Sequence, residues 1–267
     1  MLRVGVVGLG TIGRSVCRAL EAGLPGLHLV GALSRDRAKA TGFLASLGSA
    51  PPFLPIHRLI EESEVIVEAA TRSALEELAV GILKAGRDLL VLSVGALLDH
   101  PEWVGLAERH GARIHVPSGA IAGLDGVKAA CVGPIDRITM ETRKSPSSLH
   151  GAPYLVQRGL SLEGLDGETL IFEGPAREAC RGFPANVNVV AALSLAGLGP
   201  DATRIRIFAV PGLTRNVHDI RVEGGFGALA VHIENVPFEE NPRTGRLSAL
   251  SAIAALRDLT SPLRLGA

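Results

Sequence analysis

Gly8-Leu9-Gly10-Thr11-Ile12-Gly13 is a G-x-G-x-x-G pattern that follows an apolar run and opens an amphipathic one. In that setting each glycine has a task. Gly8 permits a tight turn, Gly10 lets a pyrophosphate approach the backbone, and Gly13 lets the next helix sit close to the strand. The free N–H groups at the start of that helix, from Thr11 and Ile12 onward, and its positive dipole end suit phosphates. The chemistry indicated is binding of a dinucleotide. About 20 residues on, an NAD site places an acid at the end of its second strand. This chain has Leu33-Ser34-Arg35-Asp36 there. Ser34 can hydrogen-bond a 2′-phosphate, and Arg35 can pair with it or stack on adenine. Asp36 comes late. The pattern favours NADP, with NAD also accepted.

A second set of reactive residues lies further on. His115-Val116-Pro117-Ser118-Gly119-Ala120-Ile121-Ala122-Gly123-Leu124-Asp125-Gly126 begins on a strand and crowds small residues together. Either Ser118 caps a following helix, or the stretch is a close-packed floor beside a flat ring, as its place after a parallel strand favours. Thr142-Arg143-Lys144-Ser145-Pro146 sets two cations and hydroxyls at a strand–loop junction, which suits a carboxylate as well as it suits a solvated loop. Asn186 is placed as an N-cap, and Asn188 in the following first turn could bond a carboxamide.

In Asn216-Val217-His218-Asp219-Ile220-Arg221-Val222, strand alternation puts His218 on the more apolar face, with Asn216, Ile220 and Val222. It is either a satisfied core histidine or an acid–base group. His57, His100, His110 and His150 read as helix-end or loop residues, and His28 and His115 fall on strands of the first half. His232, grouped by alternation with Ala228, Ala230 and Glu234, is the rival to His218.

The elements that position these groups divide the chain. Up to residue 116, aliphatic runs at 2–7, 27–33, 64–67, 88–92 and 113–116 alternate with helical stretches at 11–22, 37–47, 73–85 and 101–110. Such alternation predicts a doubly wound parallel sheet, with a broken segment at Pro51, Pro52 and Pro55. Beyond it come a long strand at 134–144, a Ser/Pro/Gly-rich loop at 145–153, an apolar helix at 186–197, three successive strands at 203–210, 216–223 and 227–234, and a last helix at 248–257. The three successive strands read as an antiparallel meander. The expected organisation is an α/β protein: a dinucleotide-binding domain over residues 1–117, a substrate domain with a mixed, largely antiparallel sheet over 118–245, and a C-terminal helix over 246–267 packing back on the first domain.

Composition bounds the remainder. The 267 residues carry 27 Lys plus Arg against 27 Asp plus Glu, so no basic excess points to nucleic acid. Apolar residues at 47% against 20% charged exclude whole-chain disorder. Cys17, Cys131 and Cys180 form no CxxC pair, no metal set is evident, and an odd count suits reduced thiols. No apolar run has the length of a membrane span, and the N-terminal run leads into the glycine pattern without a cleavage site. A cytoplasmic protein is expected.

Taken in order, the glycine loop, residues 115–126, 142–146, the Asn186–Asn188 helix start, Asn216-Val217-His218 and residues 235–241 resemble the L-aspartate dehydrogenase family along essentially the whole chain. The resemblance implies a Rossmann domain followed by an α/β domain that carries a homodimer interface. It implies reversible oxidative deamination of L-aspartate with NAD or NADP, through iminosuccinate to oxaloacetate and ammonia. It assigns the catalytic role to His218, maps further cofactor contacts onto Ala122 and Asn188, and suggests a place in NAD biosynthesis. A substrate with two carboxylates needs cations or hydroxyls, for which Lys144, Ser147 and Arg215 are the candidates. Competing readings are a dihydrodipicolinate reductase, although no His-His pair occurs, a homoserine-dehydrogenase-like or sugar oxidoreductase, and a non-catalytic NADP sensor.

Overall fold

The computed structural model describes residues 1–184, 188–241 and 244–266. The chain forms two compact units, the first made of Met1–Pro117 with Ala249–Leu265. Its order is β1 (Leu2–Val7), α1 (Thr11–Glu21), β2 (Leu27–Leu33), α2 (Arg37–Ala45), α3 (Ile56–Glu62), β3 (Val65–Glu68), α4 (Arg72–Lys84), β4 (Asp88–Val91), a 3-10 turn (Val94–Leu98), α5 (Glu102–Arg109) and β5 (Ile114–His115). The strands pair in parallel in the order β2-β1-β3-β4-β5. A sheet covered on both faces needs apolar side chains at successive positions. Val65, Ile66 and Val67 are all buried accordingly. The chain leaves β1 for β2 on one side and comes back to β3 on the other. The carboxyl end of β1 is therefore the switch point at which such sheets bind ligands. The segment read as broken carries α3, because Pro55 stands just outside the helix, where its missing N–H breaks no bond.

The second unit is built on Ser118–Ser248. It contains α6 (Leu124–Ala130), β6 (Ile135–Lys144), α7 (Pro146–Leu149), α8 (Pro153–Arg158), β7 (Thr169–Pro175), α9 (Ala176–Gly182), α10 (Asn188–Ala196), β8 (Arg204–Ala209), β9 (Asn216–Gly224) and β10 (Gly227–Asn235). The sheet order is β10-β9-β6-β8-β7. It is mixed: β6 and β8 run parallel, and every other pair is antiparallel.

The expected three-strand meander is thus corrected. β9 and β10 form a hairpin, but β6 lies between β8 and β9. The reason is that β6 buries Ile138, Met140, Thr142 and Lys144 in alternation, as a central strand of a one-sided sheet does. The loop expected at 145–153 holds α7, with proline in its first turn, and α8 begins at its end. The last helix, α11 (Arg246–Thr260), places Ala252 and Leu256 in the core of the first unit beside Val16 and Leu29.

Candidate active site

At the end of β1 the three glycines have separate physical reasons. Gly8 has φ +93°, and a Cβ there would meet the Ala69 carbonyl. A Cβ on Gly13 would overlap the Gly8 carbonyl oxygen, so only glycine lets α1 sit this close. A Cβ on Gly10 would meet nothing within 4 Å. Gly10 is therefore spared a side chain for what approaches from outside, not for packing. It occupies the N-cap of α1 with no side-chain cap, which leaves N–H groups of the first turn, Thr11 to Gly13, open to an anion. These residues fit a dinucleotide pyrophosphate. Ser34 is half-buried and Arg35 is exposed directly after β2. Asp36 caps α2, accepting the Lys39 N–H at 3.0 Å. Its carboxylate is thereby committed to the helix.

Glu68 was not anticipated. It ends β3 at 1% exposure and accepts hydrogen bonds from the amides of Ala70, Leu92 and Ser93 and from the Ser93 hydroxyl. It ties the turns after β3 and β4 together beside Gly8. Burial pushes its carboxyl pKa up, and the donors oppose that.

In the second unit the inner face of the sheet is apolar at one end and polar at the other. Across it, Val231, Ile220, Met140 and Ile205 share one row, and Ile233, His218, Thr142 and Ile207 the next. One step further Asn235 pairs with Asn216 and Ala209 with Lys144. The antiparallel register continues from Arg143–Val217 to set Lys144 opposite Asn216. Thr142, Lys144, Asn216, His218 and Asn235 are all buried. Asn235 donates to the Ala120 carbonyl at 2.7 Å, which fixes the segment carrying Ala122. The Thr142 hydroxyl lies 2.6 Å from His218 Nδ1 and can donate to the Val217 carbonyl at 3.4 Å.

His218 is 2% exposed and Lys144 4%. Burial, then the charge of Lys144, pushes the His218 pKa down to about 3. Burial alone pushes the Lys144 ammonium down to about 8. In the free protein His218 is therefore neutral. Beside this end opens a pocket of about 590 Å³ whose lining includes Ser145, Ser147, Thr214 and Asn216.

The remaining candidates lie as follows. His232 pairs with Asp219 at 2.6 Å on a side chain 58% exposed. The register sets it on the solvent face, opposite His218. Arg143 turns to that same face, bonded to Glu141, Glu168 and Asp219. Arg215 is exposed and held by Glu234 at 2.9 Å. Ser118 caps no helix, because α6 begins after Gly123. The small residues of this stretch have a packing reason as well: a Cβ on Gly123 would come 2.9 Å from Val231. Ala122 is exposed, and Asn188 opens α10. Asn186 lies outside the described residues.

A glycine-turn phosphate cradle at the switch point of a doubly wound sheet defines a dinucleotide-binding enzyme, and a buried histidine–lysine pair on a second, mixed sheet adds groups able to do chemistry. Known proteins narrow this class. Residues 125–259 match the family model "Aspartate dehydrogenase, C-terminal", and residues 8–117 match "Homoserine dehydrogenase, NAD binding domain". The chain is 46% identical to the L-aspartate dehydrogenase of Methanocella arvoryzae over all of both chains. It is also 46% identical to that of Bradyrhizobium diazoefficiens over 99% of this chain and 94% of the other. The crystal structure of aspartate dehydrogenase from Thermotoga maritima superposes with a TM-score of 0.75, at 26% identity over 99% of both chains. The chain belongs to the L-aspartate dehydrogenase family, and it is an oxidoreductase with a nicotinamide cofactor and a small-molecule substrate.

Proposed function

We propose that the protein oxidises L-aspartate reversibly, through iminosuccinate, to oxaloacetate and ammonia, with His218 as acid and base. Lys144 is the observation that carries this reading: a buried ammonium with no hydrogen bond or ion pair among the described residues, beside a buried imidazole. A buried charge without a partner is costly. An acidic substrate supplies the missing anion, and a substrate with a second carboxylate can also use the hydroxyls of the neighbouring pocket, Ser147 among them. Arg215, already paired with Glu234, is the weakest of the three anchors.

Gly8, Gly10, Thr11, Ile12 and Gly13 hold the cofactor phosphates, Ser34 and Arg35 the adenosine end, and Ala122 and Asn188 the nicotinamide end. With Arg35 directly after β2 and Asp36 committed to the cap of α2, NADP binds at least as well as NAD. When bound, the cofactor accepts the hydride that leaves the substrate Cα. Around that step Lys144 pairs with a carboxylate and fixes the substrate's orientation. Thr142 accepts the Nδ1–H of His218 while donating to Val217, which leaves the Nε2 lone pair free. Nε2 takes a proton from the water that attacks the iminium carbon and returns it to the departing ammonia. Such help is worth about 10²–10⁴ in rate. The second unit is assigned the homodimer interface, and the iminosuccinate product suits a role in NAD biosynthesis.

The test is a substrate panel of L-aspartate, L-glutamate and L-homoserine with NADP and with NAD. Oxidation of L-aspartate above the others is expected. Preferential oxidation of homoserine, or cofactor binding without turnover of any of the three, contradicts the assignment.

A further inference from the structure

Lys144 and His218 share the inner face of the second sheet on adjacent strands, one row apart. Among the described residues, no carboxylate forms an ion pair or hydrogen bond with either of them. β8 brings Ile207 and Ala209 to this end, β10 brings Ile233 and Asn235, and α10 carries no titratable side chain. On α6, Asp125 and Lys128 are exposed. On α9, Arg177 is held by Asp201, Glu178 and Arg181 are exposed, and Cys180 is buried and in no disulfide. The charge His218 senses is therefore that of Lys144, and nothing in the described protein balances it.

We propose that the substrate switches its own base on: a carboxylate that pairs with Lys144 cancels the charge repelling a proton from His218, so that the imidazole gains proton affinity only when a dicarboxylate is seated. Lys144 is then a positioning residue with two effects, seating the anion and setting the protonation of His218. The inference rests on the reading of this site given above. Diagonal neighbours on adjacent strands lie about 7 Å apart. At that range, in the effective dielectric of a protein, a unit charge shifts a neighbouring pKa by about one to two pH units. That is about a 10- to 100-fold change in the proton affinity of His218. Neutralising Lys144 with an anion restores that much, while burial continues to hold the imidazole below its ordinary range. Without substrate, His218 stays neutral, with a single ring proton. With substrate, it can take a proton from water and give it up again within the catalytic cycle.

The experiment follows the imidazole resonances of histidine-labelled full-length protein against pH, with and without succinate, an unreactive dicarboxylate. In the wild type, succinate is expected to raise the His218 pKa by about one to two pH units. In Lys144→Met the free protein should already show the raised value, succinate should shift it no further, and succinate should bind about 10-fold or more weakly. Lys144→Arg keeps the charge and should recover the succinate response in part. A wild-type pKa that succinate leaves unmoved, or moves equally in Lys144→Met, overturns the proposal. L-Aspartate oxidation measured on the same wild-type preparation separates the two readings. Turnover without the shift removes the switch and keeps the reaction, and the shift without turnover does the reverse.

Discussion

Replacing Lys144 with methionine should make the protein more stable and nearly inactive. The side chain keeps an unbranched apolar stem, one atom shorter, and loses the buried charge. Burial lowers the ammonium pKa from 10.5 to about 8. At about 1.36 kcal/mol per pH unit, that fall sets a ceiling near ~3 kcal/mol on what the charge costs the folded state. Local relaxation reduces it, so a gain of about 1–3 kcal/mol is expected at pH 7. The sign follows from linkage. Between pH 8 and 10.5 the unfolded chain holds the proton and the folded chain does not, so wild-type stability rises with pH across that window. The variant lacks that rise, and its advantage should fade to nothing by about pH 10.5. Urea unfolding of both proteins at pH 7 and pH 10.5 measures this, and steady-state kinetics on the same preparations should show the loss of kcat/KM. A variant less stable at pH 7, or an advantage equal at both pH values, would show that the ammonium is not an uncompensated buried charge.

Gly10→Val should leave the melt unchanged and abolish cofactor binding, because the added side chain enters open space. Gly13→Ala should lower the melting temperature instead, because its Cβ meets the Gly8 carbonyl; calorimetry and cofactor titration on both separate the two. Arg35→Ala should weaken NADP by about 1.5–3 kcal/mol and NAD by less, if a charged hydrogen bond to the 2′-phosphate is lost; equal loss by fluorescence titration removes that role. For His218 the folded pKa is about 3 and the ordinary value 6.5. Wild-type stability should therefore decline as pH falls from about 6.5 to about 3. His218→Asn should lose less over that window in acid denaturation.

The glycine loop was legible because its reasons are local: a positive φ, one close approach and one opening lie within six residues. His218 on the buried face was legible from alternation alone. What could not be read is long-range pairing. The insertion of β6 between β8 and β9 depends on contacts more than 60 residues apart in sequence, and it alone brings Thr142 and Lys144 beside His218. Alternation along β6 groups Lys144 with Met140 and Ile138, and that grouping was the available signal for its burial. That no described residue supplies a counter-ion to Lys144 has no signature along the chain. The ambiguity over His232 had the same origin, since only the β9–β10 register sets it on the opposite face. The edge strand β7, with Leu170 42% exposed, and helix α3 behind its prolines were missed because their local pattern suggested neither element. Glu68, an acid at the end of a short apolar strand, gave no sign that it would gather four donors.

In the proposed reaction His218 performs acid–base chemistry on an aspartate-derived iminium. The direct measurement is loss of reduced-cofactor absorbance with oxaloacetate and ammonia, wild type against His218→Ala, alongside NADPH affinity and a thermal melt. Unchanged NADPH binding is expected, with the glycine loop and the start of α1 proposed to hold the cofactor, and a rate lower by about 10²–10⁴. A His218→Ala protein that melts earlier but turns over at the wild-type rate per folded molecule would contradict it.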